Sequence, residues 1–353
     1  MESDTALAVE GYLYFSIEIL LIIWRICERW VTNTFRGLAT DDYLMMVAAL
    51  WNIIGTAASS FIVFITHGLA NSGITDAERA LLSPESDEFK LRVQGSKAHL
   101  VGWVSFATLL WTLKLCWLFF YKRLGYRVDR MAFKVNVGLV FCGVAYAVLI
   151  CAILFGCVPL WKSWQINPDP GNFCHPASAT LQVWVMVVSD VATDLYITII
   201  PLPMIWNARI TRVNKIGLLI MFCGGLATMS FSITRFVIII TNNGDEDTQL
   251  SSIWSDREAF VAVFVTNVPV LVPLLRKRFW NIRDKSIASV SASRGRDNWN
   301  RSRDETTKAS RESIASTSSL PKKVLSASAE SFCGSESDET YSPRRDRNMR
   351  LGM

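Results

Sequence analysis

Charge is missing from long stretches of this chain. Val135–Leu160 and Ile216–Thr234 contain no Asp, Glu, Lys or Arg. A surface helix of a soluble protein needs a polar face, so runs of this length exclude that reading for those segments. Histidine is scarce too, with 3 residues, at positions 67, 99 and 175. Their spacing forms no metal-ligand motif, so no metal site is expected. A His box, a nucleophile elbow and a phosphate loop are all absent. An enzyme is therefore not expected.

What remains is strongly apolar. The hydrophobic fraction is 51%, with 13 Trp and 19 Phe. A bilayer core of about 30 Å is crossed by about 20 mostly apolar helical residues. Seven stretches qualify, near 7–27, 43–66, 99–121, 134–158, 178–206, 216–240 and 258–275. Seven such runs leave no amphipathic helices to keep a soluble domain in water. The first run is not read as a signal peptide. Its leading flank is acidic, with Glu2 and Asp4, and no small-residue cleavage site follows it.

The net charge of +5 is unevenly placed. Residues 1–275 hold 19 Lys and Arg against 21 Asp and Glu, whereas the last 78 residues hold 17 against 10. The basic excess thus belongs to the C-terminal tail, and no nucleic-acid partner is expected. Alternate loops differ in basic content. One set carries 15 Lys and Arg, including Arg25, Arg29, Lys122, Arg123 and Arg276–Arg278; the other carries six. Basic loops stay in the cytoplasm, so the N-terminus is expected outside. The expected fold is all-α: a seven-transmembrane helix bundle over 1–280 with a cytoplasmic, disordered tail over 281–353. That tail holds 16 Ser and shows no helical or strand period. Its basic, aromatic start suits anionic membrane lipids. Phosphorylation of the nearby Ser clusters would weaken that attraction.

Ionisable groups inside spans are costly and normally pair within the bundle. Six stand out: Glu18, Lys114, Asp190, Asp194, Arg235 and Glu258. Asp190 and Asp194 share one helix face. Matching depths suggests two pairs, Lys114 with Asp194 or Asp190, and Arg235 with Glu258. They could form a ligand site or switch, or only lock helix packing. Asp41 and Asp42 open the second span and read as first-turn acids, with Thr40 as N-cap. Pro201 and Pro203 should end or kink the fifth span, and Pro269 and Pro273 the seventh. Cys157 and Cys174 flank the external loop Val158–Phe173, where a disulfide is expected, with two free thiols as the alternative.

Several segments, in order, resemble the fungal rhodopsin-domain integral membrane family. They begin with Arg25 and Arg29 and continue with Asp41-Asp42-Tyr43-Leu44. Lys114 follows, before Phe120-Tyr121 and Arg123. Then come Cys157-Val158-Pro159, Trp164 and Cys174. Asp190 and Asp194 precede Pro201-Leu202-Pro203 and Trp206. Phe222-Cys223-Gly224-Gly225, Ser232-Ile233-Thr234-Arg235, Trp254, Glu258 and Pro269 to Pro273 complete the set. After the second span this chain departs, with His67-Gly68-Leu69-Ala70-Asn71 where relatives tend to carry Gly-x-Gly-x-His. The family includes pathogenicity-associated receptor-like proteins and membrane proteins of mycotoxin clusters. The resemblance implies a receptor-like protein that senses an unknown extracellular small molecule and signals to a cytoplasmic protein, in the plasma membrane. A transporter or accessory protein of secondary metabolism is the alternative. It does not imply retinal: Ala259–Leu275 holds no Lys for a Schiff base, and no cofactor is expected.

Overall fold

The computed structural model describes residues 2–33, 38–125, 130–176, 179–202, 212–241 and 245–317. Among them the regular structure is helical. The helices are α1 (Glu2–Asn33), α2 (Thr40–Phe64), α3 (Asp76–Leu81), α4 (Asp87–Leu124), α5 (Met131–Phe155), α6 (Thr180–Ile199), α7 (Arg212–Thr241) and α8 (Asp245–Thr317). Two 3-10 turns, Leu160–Trp164 and Asn172–Cys174, lie between α5 and α6. The chain divides into two compact units, 1–283 and 284–353.

Five of the described helices are long and apolar enough to cross a membrane: Thr40–Phe64, Asp87–Arg123, Met131–Phe155, Thr180–Ile199 and Leu219–Thr241. α5 shows why a bilayer suits them. Val135, Gly138, Cys142, Ala145, Leu149 and Ile153 are buried on one face. Phe133, Val137, Val140, Val144, Val148 and Phe155 are exposed on the other. Both faces are apolar, but several inward residues are small and the outward ones bulky. Packing by small residues, with large apolar side chains turned to lipid, is how membrane helices associate. A Cβ at Gly138 would meet Leu118 Cδ2 at 2.8 Å, and one at Gly225 would meet Thr198 Oγ1 at 2.5 Å. These positions let α5 approach α4, and α7 approach α6.

α4 is the central element. Leu110, Trp111, Leu113, Lys114, Trp117, Leu118 and Tyr121 are all buried, so several of its faces are covered. α2 and α5 pack against it, α5 and α7 against α6, and α8 reaches it through Trp117 Nε1, which donates to Thr266 Oγ1 at 2.5 Å.

Several boundaries differ from expectation. α4 begins at Asp87, twelve residues before the expected span, because Ser86 Oγ accepts from Phe89 N and caps an extra polar start. α6 ends at Ile199, just before Pro201, which has no amide hydrogen to continue the ladder. Pro203 and Trp206 lie outside the described residues. Pro269 and Pro273 do not end α8, consistent with the tolerance of proline in helices embedded among neighbours. α8 also continues to Thr317, where disorder had been expected from residue 281. Ser is abundant there, but it alternates with Arg, Glu, Lys and Ala, which lose little entropy in a helix. An Arg301–Glu305 pair one turn apart, at 3.8 Å, adds to this. Residues 298–312 are exposed.

Candidate functional site: two buried charge centres and a polar cavity beside one of them

The first charge centre joins α4 to α6 and α7. Lys114 Nζ lies 2.8 Å from Asp190 Oδ1 and 3.0 Å from Asp194 Oδ1. It also donates to Thr193 Oγ1 at 2.7 Å and to the Asp190 carbonyl at 3.0 Å. Asp194 Oδ2 accepts from Thr228 of α7 at 2.8 Å. The i,i+4 spacing of Asp190 and Asp194 puts both carboxylates on one side of α6, and the lysine bridges them. Both alternatives for the lysine partner are thus realised together. The Trp111 ring, 4.8 Å from Nζ, covers the ammonium. Two carboxylates against one ammonium leave a formal charge of −1.

The second centre joins α7 to α8. Arg235 Nε stands 3.8 Å from Glu258 Oε2, close enough for ion pairing but too far for a hydrogen bond. Both residues are buried, and neither carboxylate oxygen of Glu258 has a hydrogen-bond partner. The guanidinium bonds Ser255 Oγ at 3.3 Å. It also lies over the Phe106 ring at 4.5 Å.

Next to the second centre is a cavity of about 120 Å³ bounded by α2, α4, α7 and α8. Arg235 lines it, with Asn52, Thr56 and Ser59 of α2, His99 and Ser105 of α4, and Ser251, Ser255 and Asp256 of α8. Trp51, Trp103 and Phe106 supply apolar walls. Behind Asn52, the buried Glu18 of α1 accepts its amide hydrogen at 2.6 Å. Sequence reasoning singled out Glu18 and Arg235 but missed the cavity. Single hydroxyls and one histidine carry little signal in a sequence. The recurrence of Ser251, Ser252, Ser255 and Asp256 at the start of α8 was the available hint.

A third cluster was also missed. Asp41 accepts from Arg25 Nη2 at 2.7 Å and from Arg123 Nη1 at 3.2 Å. Asp42 accepts from Arg25 Nε at 3.1 Å and pairs with Arg29 at 3.6 Å. Arg25 also reaches the Thr266 carbonyl at 3.3 Å. One knot therefore ties α1, α2, α4 and α8. The N-cap is Ala39 rather than Thr40. Asp42 does accept from the Ala39 amide at 3.2 Å, but burial beside Arg25 and Arg29 is the larger role. Arg25 and Arg29, four apart near the end of α1, were the signal that could have revealed it.

At the opposite end of the bundle the Cys157–Cys174 disulfide is formed. Its loop is held by main-chain contacts. Asn71 Nδ2 donates to the Ser163 and Cys174 carbonyls at 3.0 and 3.1 Å. Arg79 donates to Ile166 O at 3.0 Å and to Asn71 O at 2.5 Å. A Cβ at Gly95 would run into the Leu69 carbonyl oxygen, so only glycine lets α4 lie this close to the cap. Burial raises the Asp169 pKa, but the His175 hydrogen bond at 2.9 Å, the His175 charge and Arg79 together hold it below the usual aspartate value. No group of three or more His, Cys, Asp and Glu able to hold a metal occurs among the described residues.

A helical bundle with apolar outer faces and ion pairs turned inward defines an integral membrane protein that crosses the bilayer several times. This chain belongs to the fungal rhodopsin domain family, whose model matches residues 24–277. It is 24% identical over 151 residues to a SAT4 family membrane protein of Emericella nidulans, an alignment covering 43% of this chain and 37% of that protein. The match therefore spans well under two thirds of the relative's length. No solved structure matches the chain.

Proposed function

We propose that this chain is a receptor-like membrane protein without enzymatic activity, which binds a small molecule and signals to a cytoplasmic protein. The supporting observation is that Arg235 lines the cavity and also pairs with Glu258. An occupant would touch one charge centre directly and act on the other through α7, which carries Arg235 of one and Thr228 of the other. Both centres bridge helices around α7, and small helix shifts of this kind are how packed bundles switch. In this reading the plasma membrane holds seven spans with the N-terminus outside, as basic-loop counting favours. α1 and the first part of α8 add the two spans to the five long apolar helices. The cavity then opens toward the outer half, and the Arg25–Asp41–Asp42–Arg123 knot lies at the cytoplasmic end.

The test is a cytoplasmic response to secreted small-molecule fractions in cells expressing the chain. Lys114→Ala and Asp194→Asn should each abolish or lock that response while surface delivery persists. A response unchanged in both variants would overturn the switch. Solute uptake by reconstituted protein with no cytoplasmic response would replace this reading with a transporter.

A further inference from the structure

A buried arginine with most of its donors idle stands in the wall of the cavity. Arg235 is 4% exposed and lines the space. A guanidinium carries five N–H donors. Among the described residues, Arg235 makes one hydrogen bond, from Nη1 to Ser255 Oγ at 3.3 Å. Glu258, its ion-pair partner, is 3.8 Å from Nε, beyond hydrogen-bond reach. The Trp103 and Phe106 rings lie 5.6 and 4.5 Å from the guanidinium carbon. Aromatic faces attract the charge, but they offer no oxygen to the N–H groups. A buried donor without an acceptor is costly, most of all on a charged group. The nearby hydroxyls already have uses for their protons. Ser255 donates to Ser251 O at 2.9 Å, and Ser105 to Val101 O at 2.8 Å. The surplus of donors in this wall thus belongs to Arg235, and what fits it is an acceptor.

We infer that the cavity binds a compact uncharged molecule through a carbonyl oxygen set against Arg235. The inference rests on the receptor reading for the role of the site and adds the class of ligand. Charge decides between the possible acceptors. The lining carries one Arg and one Asp, and Arg235 is already balanced by Glu258. A carboxylate would set a second anion beside Glu258 on one guanidinium, and its desolvation would go largely uncompensated. An ammonium would meet Arg235, while Asp256 is exposed, so solvent and salt weaken its pull. A carbonyl oxygen accepts two hydrogen bonds and brings no charge. The body of such a molecule would lie against Trp51 and Trp103. Water can answer the donors but gains nothing from those rings. At about 120 Å³ the space equals roughly four waters at about 30 Å³ each. That admits a single small ring rather than a long amphiphile.

The experiment uses the full chain in lipid nanodiscs, with empty nanodiscs subtracted for partitioning into lipid. Cyclopentanone is the probe, compared with cyclopentane, cyclopentylammonium and cyclopentanecarboxylate. The four share one ring and differ in acceptor and charge. Ligand-observed NMR titration reads weak, saturable binding. Cyclopentanone should saturate, and the other three should bind about tenfold more weakly or worse, as expected for a hydrogen bond to a charged group. Arg235→Met with Glu258→Gln removes the donors and their counter-charge together, and should weaken cyclopentanone by a similar factor. Gly102→Leu keeps every charge and serves if that pair melts too low to assay. Gly102 lines the cavity, and a Cβ there would meet nothing within 4 Å. A leucine side chain can therefore fill the space without a clash at its Cβ, and it should abolish binding. Cyclopentane or either ion binding as tightly as the ketone would overturn the inference. So would the absence of saturable ketone binding, or ketone affinity unchanged in either variant. Ketone binding by a chain that evokes no cytoplasmic response leaves this inference standing and removes the receptor reading. A response without ketone binding does the reverse.

Discussion

Replacing Lys114 with alanine should destabilise the bundle by several kcal/mol, and neutralising its partners should restore it. Lys114 Nζ faces carboxylate oxygens at 2.8 and 3.0 Å. At an effective dielectric constant of about 20, each attraction is about 5–6 kcal/mol before desolvation is subtracted. Desolvating the three ions offsets much of that. Removing the lysine alone loses the attraction but keeps the cost of two buried carboxylates, a net penalty of about 3–5 kcal/mol. The triple variant Lys114→Met, Asp190→Asn, Asp194→Asn removes charge and desolvation cost together. It should recover to within about 1–2 kcal/mol of the parent. Cys116 and Cys142 are buried whereas Cys27, Cys151 and Cys223 are exposed, so with those three replaced by serine in every variant a thiol-reactive fluorophore reports global unfolding in detergent as the two buried sulfurs emerge. Lys114→Ala melting like the parent would refute the reasoning. So would a triple variant as unstable as the single one, because the loss would then arise from packing around Trp111 and not from charge.

Other expected outcomes follow from the cap and the helix contacts. Cys157→Ser with Cys174→Ser frees a loop of 17 residues and should cost about 3 kcal/mol, seen as earlier melting without loss of the membrane fraction. Gly224→Val should cost about 1–3 kcal/mol or more, because an added Cβ would meet Val265 Cγ1; a melting point equal to the parent would show that α7 and α8 are not packed as described. Asp169 titrates below its usual 3.8 in the folded cap. Its contribution is therefore complete at neutral pH and fades as pH falls from about 3.8 through the lower folded value. Limited proteolysis of the loop should accelerate over that window, and Asp169→Asn should remove the acceleration.

Much of the charge chemistry was legible in the sequence, and for one reason. A lysine or aspartate in an uncharged apolar run has few acceptable fates in a bilayer, so Lys114, Asp190, Asp194, Arg235 and Glu258 declared themselves and their depths suggested partners. The cysteine pair flanking a Pro- and Trp-rich loop was readable on similar grounds. Asp41 and Asp42 misled because acids at a helix start have an adequate local explanation; only the arrival of Arg25, Arg29 and Arg123 from two other helices shows the larger role. The cavity was hidden for the opposite reason. Its serines, threonine and histidine are ordinary residues anywhere, and their meaning comes from four helices converging. Low apolar content argues against a core but does not forbid an exposed helix, such as the continuation of α8 to Thr317.

The disulfide-closed cap is anchored by its main chain. Asn71 and Arg79 grip carbonyl oxygens of Ser163, Ile166 and Cys174, and every amino acid supplies a carbonyl oxygen. The side chains of Val158, Trp161 and Phe173 meanwhile point outward and are exposed. The loop can thus exchange its outward residues without loosening its attachment. Such a surface can be rewritten to meet new chemistry while the bundle beneath it stays the same.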